Sequence, residues 1–215
     1  MHIPDGFLST PAWVSTWVLS FGGLAYCVRK TKEVLQDKVV PLMGVMAAFI
    51  FAAQMLNFPV LGGTSGHLLG GVLAAILLGP YAAAIVLSCV LIVQCIVFQD
   101  GGLTALGANI FNMSIIGTMG GYCVYLLMLR IFNNNKKVLI AAGIAAWVSV
   151  MCASGLCAVE LALSGMSPFK VVLPAMLFVH AFIGIGEAII TMLVISFVLK
   201  VRPDLIYNTR EAPHE

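Results

Sequence analysis

The chain has 215 residues, 61% of them hydrophobic and only 9% charged, with a mean hydropathy of +1.05. A soluble domain carries about 25% charged residues, so this chain has too little polar surface to cover a water-exposed exterior and reads as an integral membrane protein. The net charge of +2 does not point to nucleic acid, because the basic residues sort by loop.

The chain opens with Met1-His2. A free terminal amine, the His2 backbone nitrogen and the His2 imidazole can close two fused chelate rings on one cation. One more nitrogen would complete the square-planar field that suits Ni(II) or Cu(II). Met1 is expected to be kept, because His is too bulky for efficient removal of the initiator. The first 28 residues lack the basic start of a signal peptide, since Asp5 is the only charge before Arg29, and no A-x-A-like site follows. Residues 12–28 are therefore expected to be a retained span.

Seven apolar segments follow in order, at about 12–28, 39–56, 67–79, 81–98, 104–130, 138–163 and 172–199, within a single transmembrane domain 1–200 that leaves a tail 201–215. The third is too short to cross a bilayer at 1.5 Å per residue. It begins after the glycine-rich LGGTSGH and stops at Gly79-Pro80, which predicts a short or re-entrant helix buried in protein. His67 is expected to close a flexible loop and open this helix. Arg29, Lys30, Lys32, Lys38, Arg130, Lys136, Lys137, Lys200, Arg202 and Arg210 all fall on one side of a seven-span arrangement, with Lys170 alone opposite. The positive-inside rule makes that side cytoplasmic, the amino terminus external and the carboxyl terminus internal. The external segments, rich in Gly, Ser, Thr and Asn, are the chemically unusual ones.

His2 and His67 share the outer face in this arrangement, so His67 can supply the fourth nitrogen. Imidazole and amine suit Ni, Co and Cu, whereas carboxylate and water suit Mg and Ca. A ligating His needs its second ring nitrogen held; Thr64, Ser65, Asp100, Asn109 and the outer-loop backbone are the candidate partners. A His at position 2 and a His in a loop are each more often solvated than ligating, and spacing alone leaves both readings open. Glu187, mid-span in the last segment, must be neutral or hydrogen-bonded inside the bundle. With His180 seven residues earlier on the same face it could form a proton relay, or make a structural contact with Asn109, Asn112, Ser114 or Gln94; the structural reading is preferred, and likewise for Glu160. Asp5 and Asp100 read as loop-ordering residues. The six cysteines and eleven methionines lie mostly in apolar runs and read as packing. No GxxxxGK[ST], HExxH or GxSxG occurs, so the chain is not expected to be an enzyme, and any ATPase must be a separate protein.

MHIPDGFL at the start, GGTSGHLLGG at 62–71, QDGGLTALGANIFNM at 99–113 and HAFIGIGEAIIT at 180–191 resemble the CbiM/NikM family, the substrate-binding S components of energy-coupling-factor (ECF) transporters for cobalt and nickel. The resemblance covers essentially the whole chain. It implies an all-α integral membrane protein, a seven-helix bundle made of a six-helix core plus an extra amino-terminal helix that places Met1 inside the site. It implies metal ligation by the Met1 amine, the His2 amide and imidazole nitrogens and His67, with no cofactor beyond the transported Ni(II) or Co(II). It also implies a transmembrane coupling subunit, two cytoplasmic ATPase subunits and, in some relatives, a small accessory membrane subunit. Ala48-x-x-x-Ala52 is a small-xxx-small pattern that permits close helix approach, and in S components a comparable alanine motif meets the coupling subunit. The expected function is metal capture at the external face of a prokaryotic cell membrane for ATP-driven uptake. The alternatives are a proton-coupled secondary transporter of divalent metals using Glu187 and His180, and a membrane scaffold whose outer histidines are incidental.

Overall fold

The computed structural model describes residues 1–34, 39–60, 64–133 and 136–207. Lys38, Gly62, Gly63 and Arg210 lie outside the described residues, as does the tail from 208 onward. Seven helices and one β-hairpin follow in order: α1 Thr10–Val34, α2 Val40–Gln54, β1 Asn57–Val60, β2 Thr64–His67, α3 Gly71–Leu78, α4 Pro80–Phe98, α5 Leu106–Ile131, α6 Lys137–Leu163 and α7 Phe169–Val201. A short 3-10 turn, Pro203–Leu205, closes the described chain.

Four of these, α4 to α7, are long and apolar enough to cross a membrane. α1 has 25 residues but carries Ser, Thr, Gly and Trp among its apolar positions, and it runs past residue 28 through Arg29, Lys30 and Lys32 to Val34. α2 has 15 residues. α3 has 8 residues, every one buried, which is the short protein-wrapped helix that the sequence predicts. It ends where Gly79 takes φ +85° and Pro80 starts α4, because proline fits a first helical turn but cannot continue the preceding one. The middle of α5, Ile110–Gly120, is wound more loosely as a π-helix. α6 and α7 pack as an antiparallel pair; Gly184 meets the Trp147 ring with no room for a Cβ, and Trp147 Nε1 donates to the Ala181 carbonyl at 3.2 Å.

The departure from an all-helical reading is the hairpin. The stretch read as a flexible loop pairs as antiparallel strands, with Asn57 opposite His67 and Val60 opposite Thr64. His67 therefore ends β2 rather than opening α3, which starts at Gly71. Gly66 explains the misreading: its Cβ position is filled by Ile183, Val60 and Val179, so the glycine serves close strand-on-helix packing rather than mobility.

The buried core has two parts. One surrounds α3, with Leu73, Ile76 and Leu87 at its centre. The other gathers Leu91, Met113, Val150 and Val172 around Met1 and Ile3, which are 1% and 0% exposed. The amino terminus is thus part of the core.

Candidate metal centre

The first four residues form an extended segment threaded into the bundle. Ile3 N–H donates to Asn109 Oδ1 at 2.8 Å, and Asn109 Nδ2 returns a bond to the Ile3 carbonyl at 3.2 Å. Gly102 N–H donates to the same carbonyl at 2.8 Å. The Asp5 carboxylate accepts from Leu103 N–H, Thr104 N–H and the Thr104 hydroxyl at 3.0, 2.7 and 2.5 Å, ordering the 99–104 loop as expected. A side chain at Gly102 would overlap the Asp5 backbone, so this loop and the terminus fit only with glycine there. α1 is tied to the same loop: Trp17 Nε1 donates to the Thr104 carbonyl at 3.0 Å and Ser20 Oγ to the Gly107 carbonyl at 2.6 Å. Three elements therefore hold the chain end against sliding.

This clamp brings three nitrogens together. The Met1 amine donates to the Ser65 carbonyl and lies 3.3 Å from Ser65 Oγ. The His2 ring stacks on the His67 ring, centroids 4.5 Å apart and planes 29° from parallel. His2 Nε2 bonds Gln94 Oε1 at 3.1 Å, which puts the proton on Nε2 and leaves Nδ1 with a bare lone pair. His67 Nδ1 donates to the Leu68 carbonyl at 2.7 Å, which leaves Nε2 bare. Both bare nitrogens are buried and have no hydrogen-bond partner among the described residues, at a cost of about 1–3 kcal/mol each in an unliganded protein. The tautomers are thus set by Gln94 and by backbone so that the free lone pairs are available to a cation. Above them a cavity of about 700 Å³ is lined by His2, Asp5, Asn57, Thr64, Ser65 and Asp100, among others.

Burial also prepares the charge states. It pulls the Met1 amine down from 8.0 to about 5, with Cys157 and Asp100 opposing. His2 falls from 6.5 to about 3 through burial and the neighbouring amine, against the Gln94 bond. Burial, then the amine and His2, hold His67 well below its ordinary value; the Leu68 carbonyl opposes them, and His180 adds a smaller push. All three groups are neutral at pH 7, as metal ligands must be. Asp100 is raised by burial, while the terminal amine and Asn57 work the other way. Among the described residues no three His, Cys, Asp or Glu side chains form a metal cluster; the donors here are two imidazoles and the main-chain start.

The residues read from sequence sort as follows. Met1, His2 and His67 come together. Ser65 and Asn109 stand beside them but hold the amine and the Ile3 backbone, not an imidazole. Thr64 departs further: its hydroxyl donates to Met176 Sδ at 3.1 Å. Asp100 does face His2, with Oδ1 3.3 Å from Nδ1, yet without hydrogen-bond geometry. The ring-holding role belongs to Gln94 and Leu68 instead. The signal for Gln94 is its place as the one amide side chain in an apolar helix, about one turn before its last residue, Phe98. The helix end explains the meeting of Gln94 with Asp100: Gln99 takes φ +55° and Asp100 N–H bonds the Gln94 carbonyl at 3.0 Å, folding the chain back over the last turn.

Glu187 makes a structural contact, but not with any of the side chains proposed for it. Its two oxygens accept Leu69 N–H at 2.8 Å and Gly70 N–H at 2.6 Å, capping the start of α3 just beyond His67. His180 Nδ1 donates to the Met176 carbonyl at 2.8 Å. Glu160 accepts from Asn112 Nδ2 at 2.7 Å, also structural. Ala48 and Ala52 lie on the exposed face of α2.

The fold has counterparts among solved structures of transition-metal transporters. A crystal structure of a truncated transition-metal transporter superposes with a TM-score of 0.87 at 36% identity, covering 93% of this chain and 99% of the other. The putative fused nickel transport protein NikMN of Archaeoglobus fulgidus is 44% identical over 96% of this chain and 68% of its own length. The putative cobalt transport protein CbiM of Methanocaldococcus jannaschii is 31% identical over 100% of this chain and 94% of its own. Residues 2–205 match the family described as CbiM, cobalt uptake substrate-specific transmembrane region. The chain belongs to this family, and it is a multi-pass prokaryotic membrane protein of metal transport.

Proposed function

We propose that this chain is the substrate-binding S component of an ECF-type importer, and that it binds one Ni(II) or Co(II) through the Met1 amine, the His2 amide nitrogen, His2 Nδ1 and His67 Nε2. The observation that carries the reading is the pair of buried imidazoles, each with one ring nitrogen tied off and the other bare, stacked beside the neutral terminal amine. The amine, amide and Nδ1 of one dipeptide span two fused rings, and His67 closes the square. The names of the relatives, nickel transport and cobalt transport, support the same pair of metals.

In this reading the site opens to the outside, the amino terminus is external and the carboxyl terminus cytoplasmic. The single domain 1–200 carries the whole site. The accessible faces of Ala48 and Ala52 on α2 receive the transmembrane coupling subunit, and two cytoplasmic ATPases drive uptake.

Nickel titration of the full chain tests the ligand set. His2→Ala and His67→Ala should each weaken binding at least about 100-fold, while Met1 side-chain changes matter little, since only its nitrogen coordinates. Extension of the terminus by one residue should abolish binding; a verified extended protein that still binds nickel tightly refutes the chelate. Vesicle reconstitution tests the coupling. Uptake should require ATP and partner subunits. Metal movement by the chain alone under a pH gradient would instead establish the proton-coupled reading with Glu187 and His180.

A further inference from the structure

One contact at the site has no explanation in the four-nitrogen field. Asp100 Oδ1 lies 3.3 Å from His2 Nδ1. Because Nε2 holds the ring proton against Gln94, Nδ1 has none to donate. Two electron-rich atoms therefore face each other, the nitrogen buried and the carboxylate half-buried, and among the described residues Asp100 Oδ2 has no hydrogen-bond partner. Such a pair is repulsive unless a proton or a metal cation lies within reach of both, and the lack of hydrogen-bond geometry between them favours the cation.

The separation fits that arrangement. Metal–nitrogen and metal–oxygen bonds of about 2.0–2.2 Å at a right angle put neighbouring donor atoms about 3 Å apart. The 3.3 Å separation is within a few tenths of an ångström of that spacing, and Oδ1 is not in hydrogen-bond geometry with Nδ1. Charge favours the same assignment. A divalent ion on an ionised His2 amide carries one net positive charge; the Asp100 carboxylate makes the buried complex neutral, and an unpaired buried charge is costly.

The hairpin supplies the support. Asn57 is the cross-strand partner of His67, and its side chain hydrogen-bonds Asp100. The strand pair thus positions an equatorial ligand with one residue and steadies the carboxylate with the other. Gly101 leaves just enough space: a Cβ there would sit 3.0 Å from Asn109 Nδ2 and 3.4 Å from the His2 ring.

We propose that Asp100 is a fifth, apical ligand to the transported ion and sets how well Co(II) competes with Ni(II). The inference rests on the terminal-chelate reading above. A planar four-nitrogen field satisfies Ni(II), whereas Co(II) gains more from an added oxygen donor, so the carboxylate widens the site from nickel alone to both metals.

The test uses the full chain in detergent, with Asp100→Asn as an isosteric variant and Asp100→Glu as one that keeps the carboxylate. Affinities for Ni(II) and Co(II) are measured by competition, and the visible spectrum of the bound ion is recorded. Asp100→Asn should raise the cobalt Kd at least about tenfold more than the nickel Kd and change the Co(II) spectrum to that of a lower coordination number; Asp100→Glu should recover part of the cobalt affinity. Equal losses for both metals with unchanged spectra would make Asp100 a structural or purely electrostatic residue and overturn the inference. Unaltered affinities would overturn it too. The underlying chelate is judged separately, by the wild-type protein with and without an extended terminus: if both bind nickel alike, that reading falls first.

Discussion

At the scale of single residues, the centre is built by what each side chain is prevented from doing. Gln94 occupies one His2 nitrogen and thereby frees the other; Leu68 does the same for His67. Under the proposed chelate, Gln94→Leu should weaken nickel binding by about 10–100-fold while leaving every proposed ligand in place, because orienting partners of ligating histidines contribute on that scale. A nickel titration of the variant checks this, and an unchanged Kd would remove Gln94 from the site. The buried amine makes a second prediction. Its pKa is about 5 in the folded protein against an ordinary 8.0. Between those values the unfolded chain holds a proton that the folded one lacks, so stability is complete above pH 8 and declines as pH falls towards 5. His2, lowered from 6.5 to about 3, extends the decline to more acid pH. Melting temperatures of the metal-free protein should fall from pH 8 to pH 5, and acetylation of the amine should flatten that slope.

Single elements carry these residues to their places. The hairpin puts His67 and Asn57 side by side, and α7 fixes its exit through Glu187, whose carboxylate holds Leu69 and Gly70. Gln54 at the end of α2 adds a bond from Nε2 to the Leu69 carbonyl at 2.9 Å. Glu187→Ala removes the acceptors of the Leu69 and Gly70 N–H groups and should cost about 2–4 kcal/mol of stability, with weaker nickel binding as the His67 segment loosens. Thermal unfolding and nickel titration of the same preparation check both halves. Gly102→Ala should act from the opposite side. Its new methyl group collides with Asp5, separating the 99–104 loop from the terminus, and nickel affinity should drop at least about tenfold with little change in helix content by circular dichroism. Helix positions were legible here because apolar runs and Gly-Pro breaks mark them. The hairpin was not, because its glycines look like those of a mobile loop and its strands are only four residues long.

For the whole molecule, the described residues form a helical bundle with a polar cavity beside His2. α4 to α7 supply length and apolar surface for the bilayer, while α1, α2 and α3 complete the enclosure. The orientation can be measured directly. With the native cysteines replaced, a cysteine at Ser167 should react with an impermeant maleimide in intact cells, whereas one at Asp204 should react only after permeabilisation. The reverse pattern would turn the site towards the cytoplasm and overturn external capture.

The sequence by itself determined the membrane class, the number of helices and the family resemblance, and through that resemblance it singled out Met1, His2 and His67, which the structure brings together. Hydrophobic runs of helical length, basic loops and a chelating dipeptide are local properties, and they survive in one dimension. Only the tertiary structure decided that His67 stands on a strand, that Gln94 rather than Thr64 or Asn109 serves the His2 ring, that Glu187 caps α3, and that Asp100 faces a bare nitrogen. Those facts depend on which side chains, far apart in the chain, share a few ångströms of buried space, and on the rule that each buried polar atom there needs a partner.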